Sequence, residues 1–236
     1  MTATDVADLG TILCVWAHPD DETYLSAGII CQALRNGQRA VCVTATKGEA
    51  GVQDEERWPA AELARIRESE LAAALAILGD PEHRWLDYPD GGCDQVPSEE
   101  ATGRLLEIIE DVAPDTVLTF GPDGQTGHPD HIAVCNWTTA AVERSSTATS
   151  LYYATVTPEW WQGPGIFLEQ FDVWFAGKPS VTPSEELAIN FVPDAELMEL
   201  KYRAIEAQAS QSESLLKAIG KEFFFEFARD ETYRHP

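Results

Sequence analysis

Residues 11–35 read TILCVWAHPDDETYLSAGIICQALR: an apolar run, then Trp16-Ala17-His18-Pro19-Asp20-Asp21-Glu22, then a segment with apolar residues at Leu25, Ile29, Ile30 and Leu34. The run is short, rich in β-branched residues and continuous rather than alternating, the pattern of a strand covered on both faces. The spacing after Glu22 is helical, so a histidine and three carboxylates fall where a buried strand ends and a helix begins. The same junction recurs: DTVLTF (115–120) leads through Gly127-His128-Pro129-Asp130-His131 into IAVCNWTTAAVE (132–143). Between the two, RAVCVTA (39–45) and HRWLD (83–87) read as strands, 60–78 as a helix closing at Gly79, and 98–112 as a helix stopping before Pro114. This β-α alternation predicts an α/β fold, a mostly parallel sheet with helices on both faces and right-handed crossovers.

The later part of the chain has weaker periodicity. Segments 150–157 and 170–176 read as strands, and 158–169 and 177–193, rich in Pro, Gly and aromatics, as loops. Residues 194–219 read as one helix, with Asp194 as N-cap and Gly220 after its end. With no repeat or linker to divide it, the chain is expected to form a single domain over 1–236, its motif-bearing core at about 11–143 and the remainder, 144–236, completing the sheet and the substrate rim.

With 44% apolar residues the chain has enough core to fold, and its net charge of −24 excludes non-specific binding to nucleic acid or to anionic lipid, which needs basic patches. A small neutral or cationic ligand fits that balance better. The start, MTATDVADLG, lacks the basic and apolar regions of a secretory signal, and no apolar run approaches the ~20 residues of a spanning helix, so the cytoplasm is the expected location and no membrane partner is expected. Five cysteines, an odd number without CxxC spacing, read as buried apolar residues of a reducing compartment.

In a doubly wound sheet the first and fourth strands are commonly neighbours, and ligands bind in the crevice at their carboxyl ends. Both HPD stretches fall there. A dinucleotide would need a Gly-rich turn, and this chain offers histidine, proline and acids instead. Neutral imidazole and carboxylate suit Zn²⁺, whose catalytic sites use three protein ligands and leave a position for water. The prolines after His18 and His128 limit the freedom of each loop. The residues offset by three, Asp21 and His131, point from the start of each following helix toward the shared crevice. Acids in a first helical turn also have an ordinary capping use, contributing ~0.3–1 kcal/mol. That use does not account for the histidines, three of the chain's five, in these two loops.

WAHPDDE and GHPDH, with VTATKGEAG between them and the helical Arg67-Glu68-Ser69-Glu70-Leu71, resemble the PIG-L/LmbE-like family of zinc-dependent de-N-acetylases. The resemblance covers about residues 11–143, with a weaker echo at Lys201–Gln211. It implies a Rossmann-like α/β sandwich and a hydrolase that removes the acetyl group from an N-acetylglucosamine-type sugar in a small conjugate. It also implies site roles: His18, Asp21 and His131 as zinc ligands, Asp20 as general base, His128 facing the carbonyl oxygen and Asp130 orienting His128 and raising its pKa. Glu22 is then a supporting group at the helix start. Zinc lowers the pKa of a water it binds to about 7, so Asp20 has an acidified nucleophile to deprotonate, and the leaving amine takes its proton from Asp20 or His128.

Other positions carry two readings each. Arg67, among Glu62, Glu68 and Glu70, is a surface ion pair or, by the resemblance, a donor to substrate hydroxyls or phosphate. Asp90, in YPDGG, is a turn residue or a holder of sugar hydroxyls, and Glu49 lines the same rim. Trp160-Trp161 is a stacking platform, an oligomer contact or loop packing. Thr126 and Gln208 stand where glycothiol-type members often have tyrosine and histidine, which turns the expectation toward an N-acetyl sugar of specialised metabolism. The remaining alternatives are an amidase acting on thiol conjugates and, because two histidines and a carboxylate also make a facial triad, a non-haem iron oxygenase. The expected partner is a small N-acetylated molecule; a homo-oligomer is compatible with the sequence.

Overall fold

The computed structural model describes residues 4–171 and 173–236. The continuous apolar runs become β1 (Ile12–Trp16), β2 (Ala40–Thr46) and β4 (Thr116–Thr119), every residue of which is buried. That full burial follows from helices covering both faces of the sheet. With β3 (Glu82–Tyr88), β5 (Ser150–Ala154), β6 (Ile189–Phe191) and β7 (Glu231–Arg234), they form one seven-stranded sheet in the order β3-β2-β1-β4-β5-β7-β6. The first five strands pair in parallel, Ile12 lying opposite both Ala40 and Thr116, whereas β7 runs antiparallel to β5 and β6. The chain leaves β1 toward β2 and β3, then crosses back to β4. The crevice between the ends of β1 and β4 is therefore the point where the strand order reverses.

The helices are α1 (Asp21–Arg35), α2 (Ala60–Leu78), α3 (Ser98–Val112), the single turn α4 (Gly124–Gly127), α5 (Pro129–Arg144), the short turns α6 (Pro158–Trp160) and α7 (Ile166–Leu168), α8 (Ala195–Glu206) and α9 (Ala209–Phe227). Helices α1, α2 and α8 pack together, as do α3 and α5. Strand β7 is tied into α1 by the buried Glu231, whose carboxylate accepts from the backbone N–H of Gly28 (2.7 Å) and Ile29 (2.8 Å) and pairs with buried Lys201 at 2.7 Å. Tyr233 donates its hydroxyl to the Leu25 carbonyl at 2.7 Å. Gly28 is required at this approach, because a Cβ there would sit 2.6 Å from Pro193.

The C-terminal part departs from its sequence reading. Residues 170–176 are not a strand: Glu169–Phe171 form a 3₁₀ turn, 173–176 have no regular pairing, and Asp172 lies outside the described residues. The expected loop 158–169 is a string of helical turns, begun by the Thr157 side chain capping Trp160 N and by Pro158 at the first helical position. Trp161 and Leu168 of these turns are buried, whereas Ile166 and Phe167 are exposed. The expected helix 194–219 starts as read, with Asp194 capping Leu197 N, but breaks at Gln208; α9 is then interrupted at Gly220 (φ 73°, ψ 164°), where the reading placed the end, and resumes to Phe227. Segment 177–193 contains β6, and β7 had no strand-like signal. Among the described residues no helix is long and apolar enough to cross a membrane, and all five cysteines are free and buried.

Candidate active site

The two HPD loops meet at the β1/β4 crevice, but they are built differently. In the first, Asp20 has φ 107° and ψ −29°, a left-handed conformation unfavourable to any residue with a Cβ. It is held there from several sides. Its N–H donates to Glu22 Oε2 at 3.1 Å, and its carbonyl accepts from Thr23 N and Tyr24 N at 2.9 and 3.0 Å. Glu22 is fully buried, accepting at Oε1 from Thr23 Oγ1 (2.6 Å) and Gln208 Nε2 (3.0 Å). The expected supporting role of Glu22 is thus a brace for the Asp20 backbone, and Gln208 completes it.

In the second loop His128 is a regular N-cap, its Nδ1 accepting from Asp130 N at 3.2 Å, with Pro129 following at the first helical position. His131, one turn on, stacks flat on Phe120 with ring centroids 4.0 Å apart. Its Nδ1 lies 3.0 Å from the Gly124 carbonyl, which requires an N–H there and leaves the Nε2 lone pair free.

The three expected ligands converge. His18 Nδ1 is 3.1 Å from His131 Nε2 and 3.7 Å from Asp21 Oδ2, and Asp21 Oδ1 is 3.6 Å from His131 Nε2. A tetrahedral zinc about 2.0–2.1 Å from its ligands separates them by about 3.3–3.4 Å, so this triangle fits the ion. Asp21 turns a different oxygen toward each histidine, and two further groups bring ligand atoms close enough to share an ion: His18, His128 and His131, and, through the other His18 nitrogen, His18, Asp90 and Asp130. There the carboxylates are already engaged: Asp130 accepts from Gly91 N (2.8 Å) and Cys93 N (3.0 Å), and Asp90 from Ala50 N (2.8 Å). These two acids receive the His18 Nε2–H at 3.2 and 3.0 Å, which turns Nδ1 toward Asp21 and His131.

Four of the expected site residues find their partners within the protein. Asp130 does not orient the His128 ring; its fully buried carboxylate lies on His18, because the loop at Gly91–Cys93 supplies the N–H groups that fix it there. Asp90 is likewise occupied by His18 and Ala50 N instead of offering free oxygens to a sugar, and Glu49 is spent on Asp90 N at 3.0 Å. Arg67 is no surface ion pair and no open substrate clamp. It is 4% exposed, donates to the carbonyls of Gly48 (2.8 Å) and Pro19 (2.5 Å), and reaches Asp20 Oδ2 at 3.5 Å. It pins the base loop to the loop after β2, where Gly48 is required because a Cβ would lie 2.0 Å from Arg67 Nη1.

Charge follows from this packing. Burial pushes the Asp20 carboxyl up to about 7 against the attraction of Arg67. Burial also lowers His131 to about 4, and lowers His128 together with the charge of His18, opposite to the rise expected for it. Burial opposes a charge on His18, but its hydrogen bonds to Asp130 and Asp90 outweigh that and raise it to about 10. Five carboxylates, Asp20, Asp21, Glu22, Asp90 and Asp130, thus surround a charged His18, the neutral imidazoles of His128 and His131 and a single arginine, an acidic excess that favours a cation.

A cavity of about 830 Å³ opens over these groups, reaching His18, Asp20, His128 and His131 on its floor. Of the tryptophan pair, Trp161 is buried packing, whereas Trp160 lines the cavity with its Nε1 donating to the Phe227 carbonyl at 2.7 Å. Thr126 also faces the cavity, its Oγ1 3.2 Å from His131 Nδ1.

The chain is similar to known proteins in sequence and in fold. A Rhodococcus erythropolis protein named 1D-myo-inositol 2-acetamido-2-deoxy-alpha-D-glucopyranoside deacetylase is 33% identical over 236 residues, covering 85% of this chain and 80% of that one. A Mycobacterium protein of the same name is 38% identical over 166 residues, 61% of this chain, and the match spans about half (54%) of that relative's length. Among solved structures, N,N'-diacetylchitobiose deacetylase from Pyrococcus horikoshii superposes with a TM-score of 0.63 at 24% identity, covering 97% of this chain and 84% of that one, a likeness of fold alone. Residues 13–142, which contain both HPD loops, match the profile of the family described as PIG-L, GlcNAc-PI de-N-acetylase. That is more than half of the chain, and the chain belongs to the PIG-L family.

Proposed function

We propose that the chain, acting as one deacetylase domain, is a zinc-dependent amide hydrolase of the cytoplasm that removes the N-acyl group from a glucosamine-type sugar carrying a small aglycone. The observation that carries this reading is the His18, Asp21, His131 donor triangle, with Asp20 beside it and its carboxyl raised to about 7. A zinc ion held by these three residues would supply Lewis acidity toward the carbonyl and acidify water.

The remaining work falls to the chain's own groups. Asp20, 20% exposed at its side chain and held by Arg67, has a pKa near neutrality, where a carboxylate is an effective proton acceptor and donor. It takes the proton of the attacking water and returns it to the leaving nitrogen. His128 Nδ1 is committed to its helix cap, so Nε2 is the atom that faces the carbonyl oxygen and stabilises charge on it. Asp90 and Asp130 hold His18 in register, and Glu22 with Gln208 holds the strained backbone of Asp20.

The substrate class is supported by the Rhodococcus and Mycobacterium relatives, both named for an inositol-linked 2-acetamido sugar. Thr126, small where a larger residue is frequent, leaves space beside His128 for a different aglycone. Acetate release from a panel of N-acetylglucosamine glycosides by zinc-loaded protein tests the proposal. Turnover abolished by chelation and restored by zinc is expected; a panel wholly resistant to hydrolysis overturns it.

A further inference from the structure

The cavity is larger than an acetyl group and a sugar require, and its two flanks differ in chemistry. At about 830 Å³ it falls at the upper end of the roughly 300–1,000 Å³ typical of sites enclosing drug-sized ligands. Where the loop after β2 meets the start of α9 its wall is polar: Gln53, Gln211 and Ser214. On the side of β5 it is apolar: Tyr24, Val156, Trp160, Leu168, Trp174 and Phe227. Helix α9 spans the two, from Gln211 near its start to Phe227 at its end.

Around Leu168, Trp160 and Phe227 the indole N–H groups and the buried carboxylate are already paired within the protein. Trp160 Nε1 donates to Phe227 O (2.7 Å) and Trp174 Nε1 to Gly165 O (3.2 Å), while Glu231 is consumed by Lys201, Gly28 N and Ile29 N. A polar ligand there would lose water and gain no partner. An apolar one would gain. Phe175 extends this flank to the mouth, its ring edge-on to His128 with centroids 4.8 Å apart and the residue 66% exposed.

The catalytic groups orient the substrate between the flanks. Asp20, which must reach the leaving nitrogen, lies on the polar side beside Arg67, and His128 lies on the apolar side beside Phe175. Resting on the amide-hydrolase reading above, we infer that the preferred substrate carries an N-acyl chain longer than acetyl, a medium-length apolar acyl group seated along Leu168, Trp160 and Phe227, with the sugar on the polar flank. In the reaction the amide C–N bond breaks and a C–O bond to the water oxygen forms. The products are a fatty carboxylate and the protonated amino sugar.

The test compares kcat/KM of zinc-loaded enzyme on methyl glucosaminides N-acylated with acetyl, butanoyl, hexanoyl and octanoyl groups, and on N-acetylglucosamine octyl glycoside. A buried methylene contributes at most about fourfold (about 0.8 kcal/mol, at 1.36 kcal/mol per tenfold). The octanoyl amide is expected to exceed the acetyl amide at least tenfold, and Leu168→Trp, which fills the apolar flank, to reduce that ratio at least tenfold. Acetyl preferred over every longer acyl group overturns the inference and leaves the hydrolase reading standing, as does a gain confined to the octyl glycoside. No hydrolysis in either series removes the hydrolase reading and this inference together.

Discussion

The two loops share the triplet His-Pro-Asp and the same place in the fold, yet the triplet does different work in each. In the first, α1 begins three residues after His18, so the intervening Asp20 is forced to a positive φ and its side chain is left free of any cap. In the second, α5 begins directly after His128, so the histidine becomes the cap and Asp130 falls inside the first turn with its carboxylate fully buried. A shift of two residues in where the helix starts turns one aspartate into a candidate base and the other into a support for the opposite loop's histidine. Chemical role is set by backbone register, not by the residue types in the motif.

The largest effect should come from taking away what both loops share. Chelation is expected to abolish turnover, and His18→Ala, Asp21→Ala or His131→Ala to lower zinc well below about one ion per chain, measured by elemental analysis. Full occupancy in all three variants would break the idea that the first loop gives two ligands and the second gives one.

Next, Asp20→Asn should keep its metal and lose about 10²–10⁴-fold in turnover, since an amide accepts no proton. His128→Ala should also keep metal and lose about 10²–10³-fold in kcat, the value of a single donor to a developing oxyanion. Asp130→Asn should act through His18 instead, weakening metal affinity or activity by about 10–100-fold. Competitive chelator titration separates the two aspartates; equal metal affinities in Asp20→Asn and Asp130→Asn would erase the contrast between the loops.

The smallest effect concerns backbone strain. Asp20→Gly should stabilise the metal-free protein by about 1 kcal/mol in urea denaturation while eliminating activity, because glycine accepts the left-handed conformation without penalty. The gain should also depend on pH. Burial raises the Asp20 pKa from 3.8 to about 7, so the folded chain binds an extra proton in that window. Wild-type stability is then highest below about pH 4 and declines toward pH 7 relative to the variant, so a variant advantage that is the same at pH 4.5 and pH 7.5 would contradict this account.

How far the sequence reaches can be judged from particular elements. Strands β1, β2 and β4 were legible because burial on both faces leaves a continuous apolar signature, and the two HPD loops because three of the chain's five histidines fall in them beside carboxylates. Asp90 on His18 was not legible: YPDGG is an adequate turn by itself, and only tertiary folding brings its carboxylate within 3.0 Å of His18. Arg67 sits among acids in sequence but points inward, toward carbonyls of loops 19 and 48 positions away. Strand β7 was hidden because Glu231-Thr232-Tyr233-Arg234 has two charges in four residues, one of them buried against Lys201. The break at Gln208 was hidden because its cause, a bond to Glu22, lies 186 residues away.

The carboxylate wedge of Glu231 has a consequence for how the protein comes into being. Gly28 and Ile29 carry backbone donors in the middle of α1, and their partner is synthesised 203 positions after Gly28. During translation the strand, loop and helix that bear His18, Asp20 and Asp21 emerge early, but the carboxylate that docks on the centre of that helix is not made until β7 arrives. Contacts of such long separation form late, because the chain between them must be ordered first. A nascent chain therefore displays its candidate metal ligands well before the whole sheet is in place around them, and the catalyst comes into existence near the end of its own synthesis.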